Sequence, residues 1–423
     1  MLKQDSQKHI YVYADWKELK SPHLLGVLKS SITRGSEIFS FEYDENWLKS
    51  GSAQVLDPDL VLFTGPQYLN DDKINFGLFL DSSPDRWGRL LMKRKEAVSA
   101  KTENRPKRKL YESDYLLGVF DEHRMGGLRF KLDPDGEFLA NNRINASPPW
   151  ASLRDLEYAS LQLENEDIHD ENEYLAWLNI LLVPGSSLGG ARPKSSVVDP
   201  NGKLWIAKFP SSDDLYDIGA WEMLVHELAL NAGLNVADSR IQKFSSNHHT
   251  YLTRRFDRTS EGERIHFSSA LTMLGYKDGT NSSDGASYLE LVEFLTRQGA
   301  RLNQDLEELW KRIVFYICVS NTDDHLRNHG FILQNNGWIL SPAFDINPIV
   351  DGSGLSLNIT DDDNSLDLDL AFEVSEYFRV NSLNANIIIR NIRKEVKKWR
   401  SIASRLGISK YEQVMMSNAF RNA

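Results

Sequence analysis

The chain opens on alternating apolar and polar positions. HIYVYA, from His9 to Ala14, has the period of two expected of a half-buried strand. LLGVLKS and EIFSFEY follow, punctuated by SP and RGS, so residues 9–44 are predicted to be β structure. The stretch NFGLFLDSSPDRWGRLLMKR, Asn75 to Arg94, predicts a turn and then a helix, capped by Asp81 or Ser82 with Pro84 in its first turn. Lys93 to Lys109 is basic with few apolar positions and reads as a solvated connection, or alternatively as a docking patch. Short strands and loops are expected over 110–150, with a boundary at SPPW.

Helical spacing takes over from Leu153 to Val183, where Leu175, Leu178, Leu181 and Leu182 recur on one face. PGSSLGGARPKSSVVDPNGKLWIAKFP then reads as a Gly-rich loop, a strand, a DPNG turn and a second strand. A helix from about Ala220 to Ala232 stops at Gly233, and YLTRRFDR leads out as another strand. Helices are predicted over 284–299 and 304–319, the latter with a stripe of Leu306, Leu309, Trp310, Ile313 and Ile317. An acidic patch, TDDDNSLDLDL, precedes amphipathic, basic helices that fill the C-terminal end. Asp361 to Asp363 read as a solvated loop.

Composition narrows the class. The 423 residues are 41% hydrophobic and 26% charged, the balance of an ordinary globular protein. At roughly 100–200 residues per domain, two to four lobes are expected. A net charge of −11 argues against a protein that coats nucleic acid by itself. The N-terminus MLKQDSQKHIYVY has no apolar signal core, and no run approaches ~18 apolar residues, so no membrane span and a cytoplasmic location are expected. The lone Cys318, within IVFYICV, excludes an internal disulfide and reads as a buried, inert thiol.

The chemistry concentrates between Asn321 and Asn347, in NTDDHLRN, an apolar segment and SPAFDIN. Asp323 and Asn328 have the Asp-x₄-Asn spacing of a kinase catalytic loop, and Asp345 sits in a hydrophobic tripeptide like the metal-binding Asp of kinases. Phosphoryl transfer needs one carboxylate to orient and deprotonate the attacking hydroxyl, and an amide with a second carboxylate to hold Mg²⁺. A turn of solvated acids is the bland alternative. His325 reads as a structural residue of the loop, and Asp324 is left without a role.

Three further features bear on this reading. SLGGARPK lacks the Walker lysine-serine ending. Its glycines permit backbone N–H groups to curl around phosphate, although a plain loop fits too. Strand period puts Leu204, Ile206 and Lys208 on one face, so Lys208 either meets an anion or snorkels to solvent. Glu222, in the next helix, either pairs with Lys208 or lies on the surface.

Taken together, SLGGARPK, IAKFP, AGLNV, RRFDR, NTDDHLRN and FDIN resemble the HipA family of bacterial Ser/Thr protein kinases, the toxin halves of toxin–antitoxin pairs. The resemblance spans nearly the whole chain, including FGLFLDSSPDRWGR. It implies an α+β, two-lobed protein-kinase-like fold with a β-rich N-terminal subdomain and an all-α C-terminal lobe. The expected divisions are 1–150, a phosphate-loop and lysine segment over 151–260, and a C-lobe over 261–423.

Carried over residue by residue, the resemblance makes Asp323 the catalytic base and Asn328 and Asp345 the metal ligands. Lys208 becomes the ATP lysine and Glu222 its partner. Gly189, Gly190, Ala191 and Lys194 belong to the phosphate loop, preceded by Ser187 at the position of the autophosphorylated serine. Arg254, Arg255 and Phe256 line the adenine pocket, with Arg254 where family members often carry Glu. GGARPK replaces the commoner GAQEK form, which marks a distinct subfamily. The implied cofactors are ATP and Mg²⁺. The implied partners are a helix-turn-helix antitoxin, with DNA reached only through it, and a translation component such as an aminoacyl-tRNA synthetase as substrate. A small-molecule phosphotransferase and a catalytically silent co-repressor module are the alternatives.

Overall fold

The structure is a computed structural model that describes residues 7–69, 73–139, 148–164, 171–182, 190 and 192–423. Two compact units divide the chain: residues 1–207 with 257–268, and residues 208–256 with 269–423.

The first unit begins with β1 (Lys8–Ala14), β2 (His23–Thr33) and β3 (Ser36–Tyr43), the predicted β region. Arg34 and Gly35, at φ +51° and +81°, make the tight β2–β3 turn, whose two central residues need the left-handed region. After α1 (Glu45–Lys49) come β4 (Gln67–Tyr68), α2 (Gly77–Asp81), α3 (Arg86–Thr102), α4 (Glu112–Leu117) and β5 (Leu128–Lys131). The strands form one sheet in the order β4-β3-β2-β1-β5. Ile10, Val12 and Ala14 on β1 are fully buried with Leu28, Phe41 and Phe130, as the period-two pattern requires. The unit continues with α5 (Leu153–Glu164), α6 (Glu171–Leu182), β6 (Lys194–Val198) and β7 (Leu204–Lys208), whose last residue, Lys208, already belongs to the second unit.

Three local expectations change here. The helix predicted after Asn75 is split, and the long helix starts at Arg86, with Asp85 as its cap and Pro84 outside it. Asp85 accepts the Gly88 N–H at 2.8 Å, whereas Asp81 is buried and accepts a hydrogen bond from Ser268. The basic run from Lys93 is largely α3 itself. Lys93 and Lys95 are exposed, Arg94 donates to the Leu163 carbonyl at 2.8 Å, and Arg105 folds back on Glu96 at 2.6 Å. Residues 112–117, expected as strand or loop, are helical because the Asp114 carboxylate accepts the Tyr111 N–H and closes the first turn.

The second unit starts with α7 (Ile218–Asn231), β8 (Ser239–Gln242) and β9 (Thr250–Arg254). Gly233, at φ +80°, follows α7 as predicted. The chain passes from one unit to the other within β10 (Phe267–Ser269) and continues as α8 (Ala270–Met273), α9 (Tyr288–Gln298) and α10 (Leu302–Val319). The predicted stripe of α10 is buried, and so are Val314, Phe315, Tyr316, Cys318 and Val319, so its second half is apolar all round and forms the centre of the unit. Burial pushes the Cys318 thiol up to about 12, consistent with an inert side chain. One hairpin, β11 (Gly330–Gln334) and β12 (Gly337–Leu340), interrupts the otherwise helical region. It is followed by α11 (Leu368–Glu373), α12 (Ser382–Val396), α13 (Trp399–Arg405) and α14 (Lys410–Met415). The apolar triplets FIL and WIL on either side of Asn335, Asn336 and Gly337 explain this pairing. Among the described residues, no helix is long and apolar enough to cross a membrane.

Candidate active site

Strand β7 ends on Lys208, whose ammonium is buried rather than snorkelling to solvent. Its Nζ lies 2.6 Å from Glu222 Oε1 and 2.6 Å from Asp345 Oδ1. Burial works against the charged form, but the Asp345 and Glu222 carboxylates outweigh it and hold the ammonium above its ordinary range. The Tyr251 ring of β9 flanks it, with Nζ 5.6 Å from the centroid.

Glu222 is placed by the first turn of α7. Asp217 caps that turn by accepting the Ala220 N–H at 3.1 Å. Gly219 allows β9 to approach, since a Cβ there would fall 2.1 Å from the His249 carbonyl oxygen.

Asp345 reaches Lys208 from the loop after β12 in a left-handed conformation, φ +57°. Asn347 donates Nδ2–H to Asp345 Oδ1 at 3.1 Å, and its backbone N–H goes to Asn321 Oδ1 at 3.0 Å. The two ends of the span singled out in the sequence are thereby tied together.

The loop after α10 separates its neighbouring acids. Ser320 ends the helix in the left-handed region at φ +52°. Asp323 then faces solvent, while Asp324 is fully buried and accepts the Tyr288 hydroxyl hydrogen bond. His329 Nε2 lies 2.8 Å from the other Asp324 oxygen, a close contact whose alignment falls short of a hydrogen bond. Asp324 is therefore the anchor of the loop, the role the sequence left open. His325 precedes the short turn Leu326–Asn328, its carbonyl accepting the Asn328 N–H at 2.8 Å.

Asn328 is aimed by a 2.8 Å bond from Nδ2 to the Asp323 carbonyl, and its Oδ1 is buried with no hydrogen-bond partner among the described residues. An orphaned amide oxygen is costly unless a ligand completes it. With the Asp345 carboxylate it supplies the hard oxygen donors that suit Mg²⁺, so the residues present fit that ion.

The remaining candidates are placed as follows. Arg254 pairs with Asp238 at 3.1 Å, Arg255 is buried, and the Phe256 ring packs 5.6 Å from Phe344, next to Asp345. In the first unit, Gly190 has φ +92°. Lys194 is buried against Asp85 at 3.3 Å, and Trp87 Nε1 donates to its carbonyl at 3.1 Å. Ser187, Gly189 and Ala191 lie outside the described residues. Asp361 and Asp362 are exposed, and Asp363 accepts the Ser365 N–H at 2.8 Å. The 361–363 run is thus a solvated turn.

Sequence reasoning missed Asp85, Tyr288 and His329, and gave no role to Asn321 or Asn347. Tyr288, within a helix, carries no local signal of a carboxylate partner 36 residues along the chain, and His329, five residues after Asp324, sits just before an apolar strand with no spacing that marks it. Asn321 and Asn347, however, bound the motif itself.

A family model described as the HipA-like C-terminal domain matches residues 186–400, just over half of the chain. The chain belongs to the HipA family. Among solved structures, HipA of Shewanella oneidensis MR-1, in a toxin–antitoxin complex with HipB and operator DNA, matches with a TM-score of 0.63. The match covers 98% of this chain and 95% of that one at 17% identity, a likeness of fold alone. It shares the two-lobed, kinase-like α+β architecture. Among curated relatives, the "Putative kinase Y4mE" of Sinorhizobium fredii is 28% identical over 182 residues, 38% of this chain and 41% of that protein. A "Putative kinase" of Haemophilus influenzae is 23% identical over 179 residues, 38% of this chain and 52% of that protein. The match to this HipA family chain thus spans about half of each curated relative, or less.

Proposed function

We propose that this HipA family member is an ATP- and Mg²⁺-dependent Ser/Thr protein kinase of toxin–antitoxin type. The observation that carries the reading is the buried triad of Lys208, Glu222 and Asp345, in the same unit as the orphaned Asn328 Oδ1 and the open Asp323 carboxylate. Lys208 is a buried cation awaiting phosphate oxygens, and Glu222 keeps it oriented when Asp345 turns to the metal. Asn328 and Asp345 would hold Mg²⁺, which when bound neutralises charge on the phosphates. Asp323 accepts the proton of a serine or threonine hydroxyl as that oxygen bonds to the γ-phosphorus and the bond to the β-phosphate oxygen breaks, releasing ADP. Phe256 and the neighbouring backbone are assigned to the adenine.

The Gly189–Gly190–Ala191 stretch is assigned to the phosphates, and Ser187 to self-phosphorylation, on their positions in the sequence. Lys194 is assigned to the root of that loop. A helix-turn-helix antitoxin is the proposed partner, supported by the HipB complex of the Shewanella protein. A translation component such as an aminoacyl-tRNA synthetase is the proposed class of target, supported by the family resemblance. Calorimetry tests the nucleotide site. ATP with Mg²⁺ should bind the wild type and lose affinity by at least about tenfold in Lys208→Met, the scale of losing a charge-assisted bond. No binding by the wild type contradicts the reading.

A further inference from the structure

The helix that presents Glu222 is held from behind by the C-terminal end of the chain. Glu412 Oε2 accepts two hydrogen bonds from the start of α7: the Asp217 backbone N–H at 3.1 Å and the Trp221 indole N–H at 3.2 Å. The Glu412 carboxylate is itself fixed. Ser409 donates its hydroxyl to Oε1 at 3.1 Å and caps α14 by accepting the Glu412 N–H at 3.2 Å.

Aromatic packing reinforces this carboxylate. Trp221 is fully buried, its ring 6.1 Å from Trp399 and 6.2 Å from Phe420, and these two rings stack at 4.5 Å with 13° between their planes. Further along α7, Glu227 pairs with Arg405 of α13. On the other side, Asp217 accepts His249 Nδ1–H at 2.6 Å and the His249 N–H at 2.9 Å.

Adjacent residues of a helix point roughly 100° apart, so Trp221 and Glu222 serve different neighbours. Trp221 faces the C-terminal helices and Glu222 faces Lys208. A displacement of α7 that opened the Lys208–Glu222 pair would also break the indole-to-carboxylate bond and draw Trp221 away from the Trp399–Phe420 stack. We propose that Glu412 is a positioning residue for the Lys208–Glu222 pair, acting through the first turn of α7. The lysine pair is then set constitutively by the C-terminal segment, and control of activity falls on other parts of the molecule.

The inference rests on the ATP-site reading, so its test includes a readout that needs no nucleotide. The full chain is prepared as wild type, Glu412→Ala, Glu412→Gln and Trp221→Phe. Two quantities are followed: kcat and KM for ATP, and the rate at which a small amine-acylating reagent labels Lys208 without ATP, read by mass spectrometry. Glu412→Ala should raise KM about tenfold, the scale of losing charge-assisted hydrogen bonds, and label Lys208 faster. Its kcat should stay within about twofold. Glu412→Gln keeps an acceptor oxygen and should stay near wild type. Trp221→Phe removes only the indole donor and should shift KM and labelling in the same direction by less.

Unchanged KM and labelling in both Glu412→Ala and Trp221→Phe overturns the proposal. So does a loss that appears equally in kcat and melting temperature and is shared by Glu412→Gln. Should Glu412→Ala fail to fold, Trp221→Phe alone decides by the same criteria. Labelling that responds in a chain without ATP turnover upholds the positioning role and rejects the kinase reading.

Discussion

Lys208 Nζ and Asp345 Oδ1 stand 2.6 Å apart, so the proposed metal carboxylate and the proposed phosphate lysine neutralise one another in the nucleotide-free protein. Glu222 holds the same ammonium from its other side. Binding of a phosphate and a metal would give both Lys208 and Asp345 new partners without leaving either charge exposed to an apolar surround. Asp345 also holds φ +57°, which a non-glycine residue keeps only where its surroundings fix it, here through Asn347 and Asn321.

The triad makes Lys208 a stability residue as well as a binding one. Lys208→Met removes the buried cation that lies between the Glu222 and Asp345 carboxylates, so unfolding in urea should show a loss of about 3–5 kcal/mol. Glu222→Gln should cost less, because Lys208 retains Asp345.

Neighbouring acids should respond in opposite ways. Asp324→Asn disturbs a buried acceptor of the Tyr288 hydroxyl and should lower stability by about 1–3 kcal/mol in thermal or urea unfolding. Asp323 is exposed, and Asp323→Asn should leave stability within about 0.5 kcal/mol of wild type. Equal stability losses in the two variants would reject the separation of anchor from base.

Metal binding should depend on Asn328. In the presence of ATP, Mn²⁺ substituted for Mg²⁺ and followed by electron paramagnetic resonance should bind the wild type and bind Asn328→Ala markedly more weakly. Chelation of divalent ions should abolish phosphoryl transfer. An unchanged Mn²⁺ titration in the variant contradicts the assignment of its orphaned oxygen.

Acid should destabilise the protein through His266 in the first unit. This ring is buried, stacks 5.0 Å from Trp16, and accepts the Gly127 N–H on Nδ1 at 3.4 Å. Burial holds it neutral down to about 3. In the unfolded chain a histidine takes its proton near about 6.5. Its folded value is depressed, so its contribution is fully present above that pH and is lost as pH falls toward about 3, by roughly 1.4 kcal/mol per pH unit. Relative to wild type, His266→Phe should remove that slope between pH 6 and pH 4 in urea unfolding.

Much of the fold was legible because periodicity reports burial directly. The alternation in HIYVYA gave β1, and the stripe from Leu306 to Ile317 gave α10. The split at Asp81–Asp85 was not legible, because several polar residues in a row offer competing caps and tertiary partners choose among them. In the candidate site, spacing marked Asp323, Asn328 and Asp345, and strand parity marked Lys208. Spacing did not reveal that Lys208 touches Asp345 before any ligand binds, nor that Tyr288 anchors Asp324. Those are contacts between residues far apart in the chain, with no periodic trace in the sequence.

The most direct test of the central claim is incubation of the purified chain with γ-labelled ATP and Mg²⁺, alone and with candidate proteins, beside Asp323→Asn. The account predicts label on serine or threonine hydroxyls with the wild type and a loss of about 10²–10⁴-fold in the variant, the range of a removed general base. Equal labelling by the two proteins, or none by the wild type despite bound ATP, would contradict it.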